Sequence, residues 1–310
     1  MTARKGILAI LFSSLCFGFL GYFGKTGYAL GYSPLKLLTV RFTLATLMLW
    51  IYAFSIGIKK YHIKREKLLI LIPSGIAYAL TSLGYFYALS YMPASYVSIL
   101  FYIHPIITIV VATIVFREKI TKEIFMAVLF AIVGTTLVSS AGAITVRNFS
   151  VVGLGWILVA ATSYSIFTLL GQRTTATSDA LVVTTYSVSF CALFLIILNP
   201  PLYMLDGSMT TAMWLIGLGI SLISSVLAIL FFVIGVRAVG ATRTSIAASS
   251  EPLAGVIVAY ILLGDRLALM QWVGVLLIVI AVSLLTITDT PVASFYKYIR
   301  TKALFSQKSS

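Results

Sequence analysis

Two titratable residues sit directly before prolines inside long apolar stretches, 147 positions apart: His104-Pro105 and Glu251-Pro252. The stretches repeat one another without a gap. ASYVSILFYIHPIITIVVATIVFREKI starts at Ala94 and ATRTSIAASSEPLAGVIVAYILLGDRL at Ala241, with Ser98/Ser245, Ile99/Ile246, Val111/Val258 and Ala112/Ala259 identical. At their ends, Glu118-Lys119-Ile120 answers Asp265-Arg266-Leu267. A carboxyl at such a position is costly unless it faces a cavity, a partner or a ligand, so Glu251 is a candidate to bind a proton or an amine. Pro252 bends its helix and leaves the carbonyl of Ala248 without its usual donor, and Ser249 and Ser250 add polar groups beside it. The structural alternative is a carboxyl hydrogen-bonded across a helix interface at the kink. His104 can pair with Glu251 or with a ligand, or be a core histidine satisfied by Ser98, Tyr102 or a carbonyl.

Around this pair, Tyr78, Tyr85 and Tyr102 are candidates to line a cavity. Tyr78 and Tyr85, seven apart, share a helix face and can stack on an aromatic ligand or hold a cation. Tyr91 and Tyr96 suit an interfacial belt. Tyr164, in the polar run Thr162-Ser163-Tyr164-Ser165, joins the candidates, and Ser221, Ser224 and Ser225 can offer uncharged hydrogen bonds to a ligand or bond their own helix. Gly18, Gly21, Gly24 and Gly27 make a small-residue ridge for close helix packing. Lys25 and Arg41 read as snorkelling residues near an interface, and His62, in KKYHIKREK, as solvated.

The elements that position these residues must be membrane helices. Sixty per cent of the 310 residues are hydrophobic, 10% are charged, and the mean hydropathy is +1.08, so lipid rather than water covers most of the surface. The net charge of +14 is spread over short connections rather than gathered on one domain, which argues against nucleic acid as a partner. Cys16 and Cys191 form no C-x-x-C spacing, and neither a disulfide framework nor a metal site is expected. Runs of about 20 apolar residues mark ten spans, near 6–30, 34–57, 67–90, 94–116, 121–140, 150–172, 179–199, 210–236, 241–263 and 268–287. The first reads as a retained span rather than a cleaved signal. With both termini in the cytoplasm, seventeen Lys and Arg fall inside and five outside. Spans four and nine then run in opposite directions. That makes an all-α integral membrane protein of two inverted five-helix repeats, residues 1–145 and 146–290, with a basic cytoplasmic tail over 291–310. Such repeats place a site at mid-depth on their interface.

The proline in mid-helix followed by an apolar run ending F-R-E-K or L-G-D-R, together with Phe17-Gly18, Lys25 and Arg41-Phe42, resembles the EamA-like branch of the drug/metabolite transporter superfamily. The stretch from Glu251-Pro252 to Leu263-Gly264-Asp265-Arg266 is the closest part of that likeness. It implies a ten-helix carrier in a bacterial-type inner membrane, chiefly an exporter of amino acids or other small metabolites. His104 departs from the pattern, and leaves the mode of coupling open. No phosphate-binding loop, HExxH pair or GxSxG elbow is present, so neither an ATP-driven pump nor an enzyme is expected. An intramembrane enzyme would need further convergent titratable groups. A gradient-independent facilitator or a non-transporting sensor remains the alternative to a coupled exporter. No cofactor is called for. The expected partners are a small-molecule substrate, membrane lipid and protons, with a homodimer through spans five and ten set against lipid facing.

Overall fold

The computed structural model describes residues 2–57, 61, 63–92, 97, 100–116, 120–139, 150–263 and 268–287. The expectations for His62, Tyr96, Ser98, Glu118, Lys119, Asp265, Arg266 and the 291–310 tail lie outside these residues. Every regular element among them is helical. The first half comprises α1 (Ala3–Gly18), α2 (Leu20–Ala29), α3 (Pro34–Ile56), α4 (Arg65–Tyr91), α5 (His104–Phe116) and α6 (Lys122–Ser139). The second comprises α7 (Val151–Thr175), α8 (Ala180–Leu198), α9 (Thr211–Ser221), α10 (Ala228–Ala247), α11 (Glu251–Leu263) and α12 (Leu269–Ile287). The starts carry the residues that helix starts need. Ser33, Ser150, Asp179 and Thr210 each accept a backbone N–H from the first turn, and Pro34 opens α3 where no donor is required. Between α9 and α10 the chain passes through a π-helical turn, Leu222–Leu227.

Among the described residues, six helical stretches are long and apolar enough to cross a bilayer: Ala3–Ala29, Pro34–Ile56, Arg65–Tyr91, Val151–Thr175, Ala180–Leu198 and Thr211–Gly255. His104–Phe116 and Leu269–Leu285 are apolar but shorter. The connection expected near residues 237–240 is not a loop. Helix continues through it with one break at Gly240, whose φ of 84° is a conformation favouring glycine.

The repeat is written into the helix boundaries. α5 and α11 both have 13 residues and begin on the paired titratable residues, His104 and Glu251. Corresponding helices that touch run antiparallel. In the α6–α12 pair, Gln271 donates to the Val138 carbonyl at 3.0 Å, whereas Gly134 lies against Ile278. In the α3–α8 pair, Asn199 meets Thr39 and Trp50 meets Ser189. This is the inverted relation.

The two halves do not form separate bodies, however. α1 packs on α10 and α11 of the second half, and α7 packs on α4 and α5 of the first, the same arrangement under exchange of repeats. Ser13 Oγ donates to the Ala228 carbonyl at 2.7 Å across the α1–α10 contact. A motion that rocks one sequence half against the other would tear both interfaces. α10 packs on α7 and α5 as well, so these helices share one contact network across the repeat boundary.

Glycines permit the closest crossings. A Cβ on Gly274 would stand 2.6 Å from the Gly134 carbonyl oxygen, and one on Gly134 would stand 2.8 Å from that of Gly274. The first-span ridge serves packing only in part: Gly18 meets Ala254 and Gly27 meets Leu37, but no atom lies within 4 Å of a Cβ built on Gly21 or Gly24. Gly274→Ala is expected to cost about 1–3 kcal/mol by overpacking against backbone. Gly155→Ala, with nothing within 4 Å, is expected to be neutral or slightly stabilising. Thermal unfolding of detergent-purified variants checks the contrast, and equal midpoints would refute it.

Candidate functional site

The turn that delivers Glu251 also resolves the defect made by Pro252. Ala248–Ser250 tighten into a 3-10 turn, and the Glu251 N–H takes the Ala248 carbonyl that the proline leaves without a donor. That carbonyl is therefore not free for a ligand, contrary to the expectation from sequence. Ser250 Oγ donates to the Ala247 carbonyl at 2.8 Å, so its hydroxyl serves its own chain. The Ser249 carbonyl accepts from Thr135 Oγ1 at 3.5 Å, and both serines are buried.

Glu251 keeps part of its surface accessible in the middle of the bundle, as does Tyr85. Tyr78, Tyr102, His104 and Tyr164 beside them are buried. The Glu251 carboxylate lies within electrostatic range of the phenols of Tyr78, Tyr85, Tyr102 and Tyr164 and of the Arg41 guanidinium. The tyrosines singled out by sequence thus converge on the carboxylate from α4, from the residues just before α5, and from α7. Phe101 ties them together, with ring centroids 5.4 Å from Tyr85, 5.4 Å from Tyr164 and 5.7 Å from Tyr102.

His104 lies in the same group, but not as the carboxylate's ionic partner. Its ring meets Tyr164 edge-on at 4.6 Å and Phe101 at 5.1 Å. Its carbonyl accepts from Thr108 Oγ1 at 2.9 Å and Ser165 Oγ at 3.0 Å, which anchors the Pro105 turn between α5 and α7. Two buried polar atoms here have no hydrogen-bond partner among the described residues, His104 Nδ1 and Tyr164 Oη. Other buried hydroxyls share that state, among them Thr43 Oγ1, Tyr61 Oη and Thr184 Oγ1, so this pair is distinguished by its place in the group around Glu251.

The charged partner of Glu251 is one that sequence reasoning placed elsewhere. Arg41 does not snorkel to an interface but is only 2% exposed. Its Nε donates to Ser225 Oγ at 2.7 Å and its Nη2 to the Ser224 carbonyl, both in the π-helical turn. It also lies within electrostatic range of the Tyr78 phenol and 4.7 Å from the Phe42 ring centroid. A π turn leaves carbonyls out of register, and a guanidinium fork can satisfy them. Ser224 and Ser225 are accordingly occupied by the protein, not held for a ligand: Ser224 Oγ donates to the Cys16 carbonyl at 2.9 Å. Arg41 and Glu251 form no direct ion pair. Among the described residues the one ion pair is Arg237–Asp179, 3.2 Å and exposed. Lys25 is exposed, as expected. A second residue missed in the sequence is Gln172 of α7, 1% exposed, whose Oε1 accepts the Ala241 N–H just after the Gly240 break.

Nothing among the described residues resembles a metal site, since no group of three or more His, Cys, Asp or Glu converges. The arrangement is a group of tyrosine rings within electrostatic range of one carboxylate, with the internally tied Arg41 guanidinium also in range.

Comparison with known proteins identifies the family. The sequence model of the EamA-like transporter family matches twice, over residues 4–140 and 151–287, so the two matches stand the same 147 residues apart as His104 and Glu251. The chain is 26% identical over 271 residues to a Bacillus subtilis (strain 168) protein named uncharacterized transporter YyaM, covering 84% of this chain and 87% of that one. It is 25% identical over 300 residues to a Salmonella typhimurium protein named uncharacterized inner membrane transporter YicL, covering 92% and 96%. A solved crystal structure superposes with a TM-score of 0.75 over 92% of this chain and 97% of its own, at 15% identity, which shows a shared fold. A multi-pass helical membrane protein built from two family repeats around a caged carboxylate, the chain belongs to the EamA-like transporter family.

Proposed function

We propose that the chain is a secondary transporter that exports amino acids or other small metabolites by alternating access at the Glu251 site. The observation that carries this is the set of unmet polar groups at the repeat interface: a partly accessible carboxylate, His104 Nδ1 and Tyr164 Oη. A substrate amine on Glu251, with its apolar body among the tyrosines, would satisfy them. Ten crossings, with residues 1–145 and 146–290 as repeats and the 291–310 tail cytoplasmic, fit the helix order and the basic connections. Both termini would face the cytoplasm across an inner membrane. The moving bodies would not be the two sequence halves, because the first helix of each half packs on the other half. Protons are the candidate coupling ion, and Glu251 their candidate carrier.

The test is uptake of labelled amino acids and amines into proteoliposomes, with and without an imposed pH gradient. Coupled export predicts flux that rises several-fold with the gradient. Flux that ignores the gradient would mean a facilitator, and saturable binding without flux a sensor.

A further inference from the structure

We propose that Gln172 is a positioning residue that latches the transporter shut at its Gly240 end. The latch is a helix cap supplied by a different helix. At Gly240 the backbone leaves helical geometry (φ 84°, ψ 169°), so Ala241 begins a new half-helix whose first N–H has no carbonyl one turn back. Gln172 Oε1, from α7, takes that N–H. The half-helix then runs through the buried residues Thr242, Arg243, Thr244 and Ser245 to the turn that presents Glu251. Gln172 thereby fixes both the plug below the site and the base of the site itself.

Two further observations make this contact a gate and not only a cap. Ala241 belongs to a small apolar cluster, separate from the main core, with Ala112 and Leu169 and with Val111 and Phe116 against them. These side chains come from α5, α7 and α10, which pack on one another here and must part if a path opens between them at this end. The other end differs. No atom lies within 4 Å of a Cβ built on Gly21 or Gly24, and Lys25, the residue matching Gln172 under the 147-residue shift, is exposed. The Gly240 end is therefore closed by a buried cluster, whereas the position matching Gln172 at the other end is an exposed lysine. Breaking the contact between Gln172 and Ala241 would remove the cap from the half-helix and ease its movement at Gly240, whose lack of a side chain permits the turn.

This inference rests on the transport reading, but its test needs no substrate. In a background with Cys16 and Cys191 replaced by alanine, a cysteine at Ser245 reports access to the plug. A membrane-impermeant maleimide is applied from each side of oriented vesicles. With Gln172 intact, labelling from the Gly240 side should be slow. Gln172→Leu should raise that rate about fivefold or more, the factor given by losing one cap. Gln172→Glu, whose carboxylate also accepts an N–H, should label like the parent. An unchanged rate in Gln172→Leu, or a fast rate in Gln172→Glu, overturns the latch. Gln172→Ala replaces the leucine variant, with the same outcomes, if that one is not recovered folded. Absence of flux in the wild-type protein would sink the transport reading, and the labelling result would still decide the latch.

Discussion

Replacing Glu251 with glutamine is expected to lower substrate flux at least tenfold while leaving the protein folded. The amide has nearly the volume of the carboxyl and keeps hydrogen-bonding capacity, so the turn at Ala248–Ser250, which rests on backbone groups, should persist. What is lost is charge. Of the eight acidic residues, Glu251 is the one set deep in an apolar stretch and surrounded by the tyrosine cage. A hydrogen bond to a charged group contributes about 1.5–3 kcal/mol. At ~1.4 kcal/mol per factor of ten, its removal corresponds to roughly ten- to hundredfold in binding. Initial rates in proteoliposomes, with circular dichroism and thermal unfolding as fold controls, measure this. Wild-type flux from Glu251→Gln would remove the carboxylate from the mechanism, whether it carries a proton or an amine.

The position of this carboxylate was legible from residues alone. An acid before a proline, matched by a second titratable residue before a proline 147 positions away, marks two helices of one repeat, and the structure starts α5 and α11 on those residues. Periodicity likewise put Tyr78 and Tyr85 on one face, and both lie in range of Glu251. What could not be read were contacts between residues far apart in sequence. Arg41 lies seven residues into α3, about 10 Å from its end at 1.5 Å per residue, a depth from which an arginine can reach an interface. Its burial depends on a π turn 180 residues later, and nothing local in LISSVL announces that geometry. Gln172 was invisible for the same reason, because its partner is a backbone N–H exposed only by the Gly240 break. How the two halves interlock was hidden on a different ground. Sequence order suggests two five-helix bodies, but each repeat's first helix packs on the other repeat, so chain order and mechanical units differ.

Removing Arg41 is expected to be the most destabilising single change at the site. In Arg41→Ala the π-turn groups of Ser224 and Ser225 lose their donors, and a buried positive charge near Tyr78 and Glu251 disappears. Breaking a buried charged network by removing one member costs about 3–5 kcal/mol, enough to reduce recovery of folded protein sharply. Arg41→Lys keeps the charge but not the fork that reaches Ser225 Oγ and the Ser224 carbonyl together, and should cost about 1–3 kcal/mol. Thermal midpoints in detergent rank the three proteins. The lysine variant also separates charge from geometry: a midpoint equal to wild type would mean that the charge alone matters, and one equal to the alanine variant that the fork alone matters. Pairing Arg41→Lys and Arg41→Ala each with Glu251→Gln then tests whether the two charges communicate without touching. If they do, Glu251→Gln should soften the loss from Arg41→Ala by about 1 kcal/mol, because no carboxylate remains to miss its counter-charge. It should leave the loss from Arg41→Lys nearly unchanged. Strict additivity in the alanine cycle would show that Arg41 supports the π turn alone, and that the charge balance of the Glu251 site is set without it.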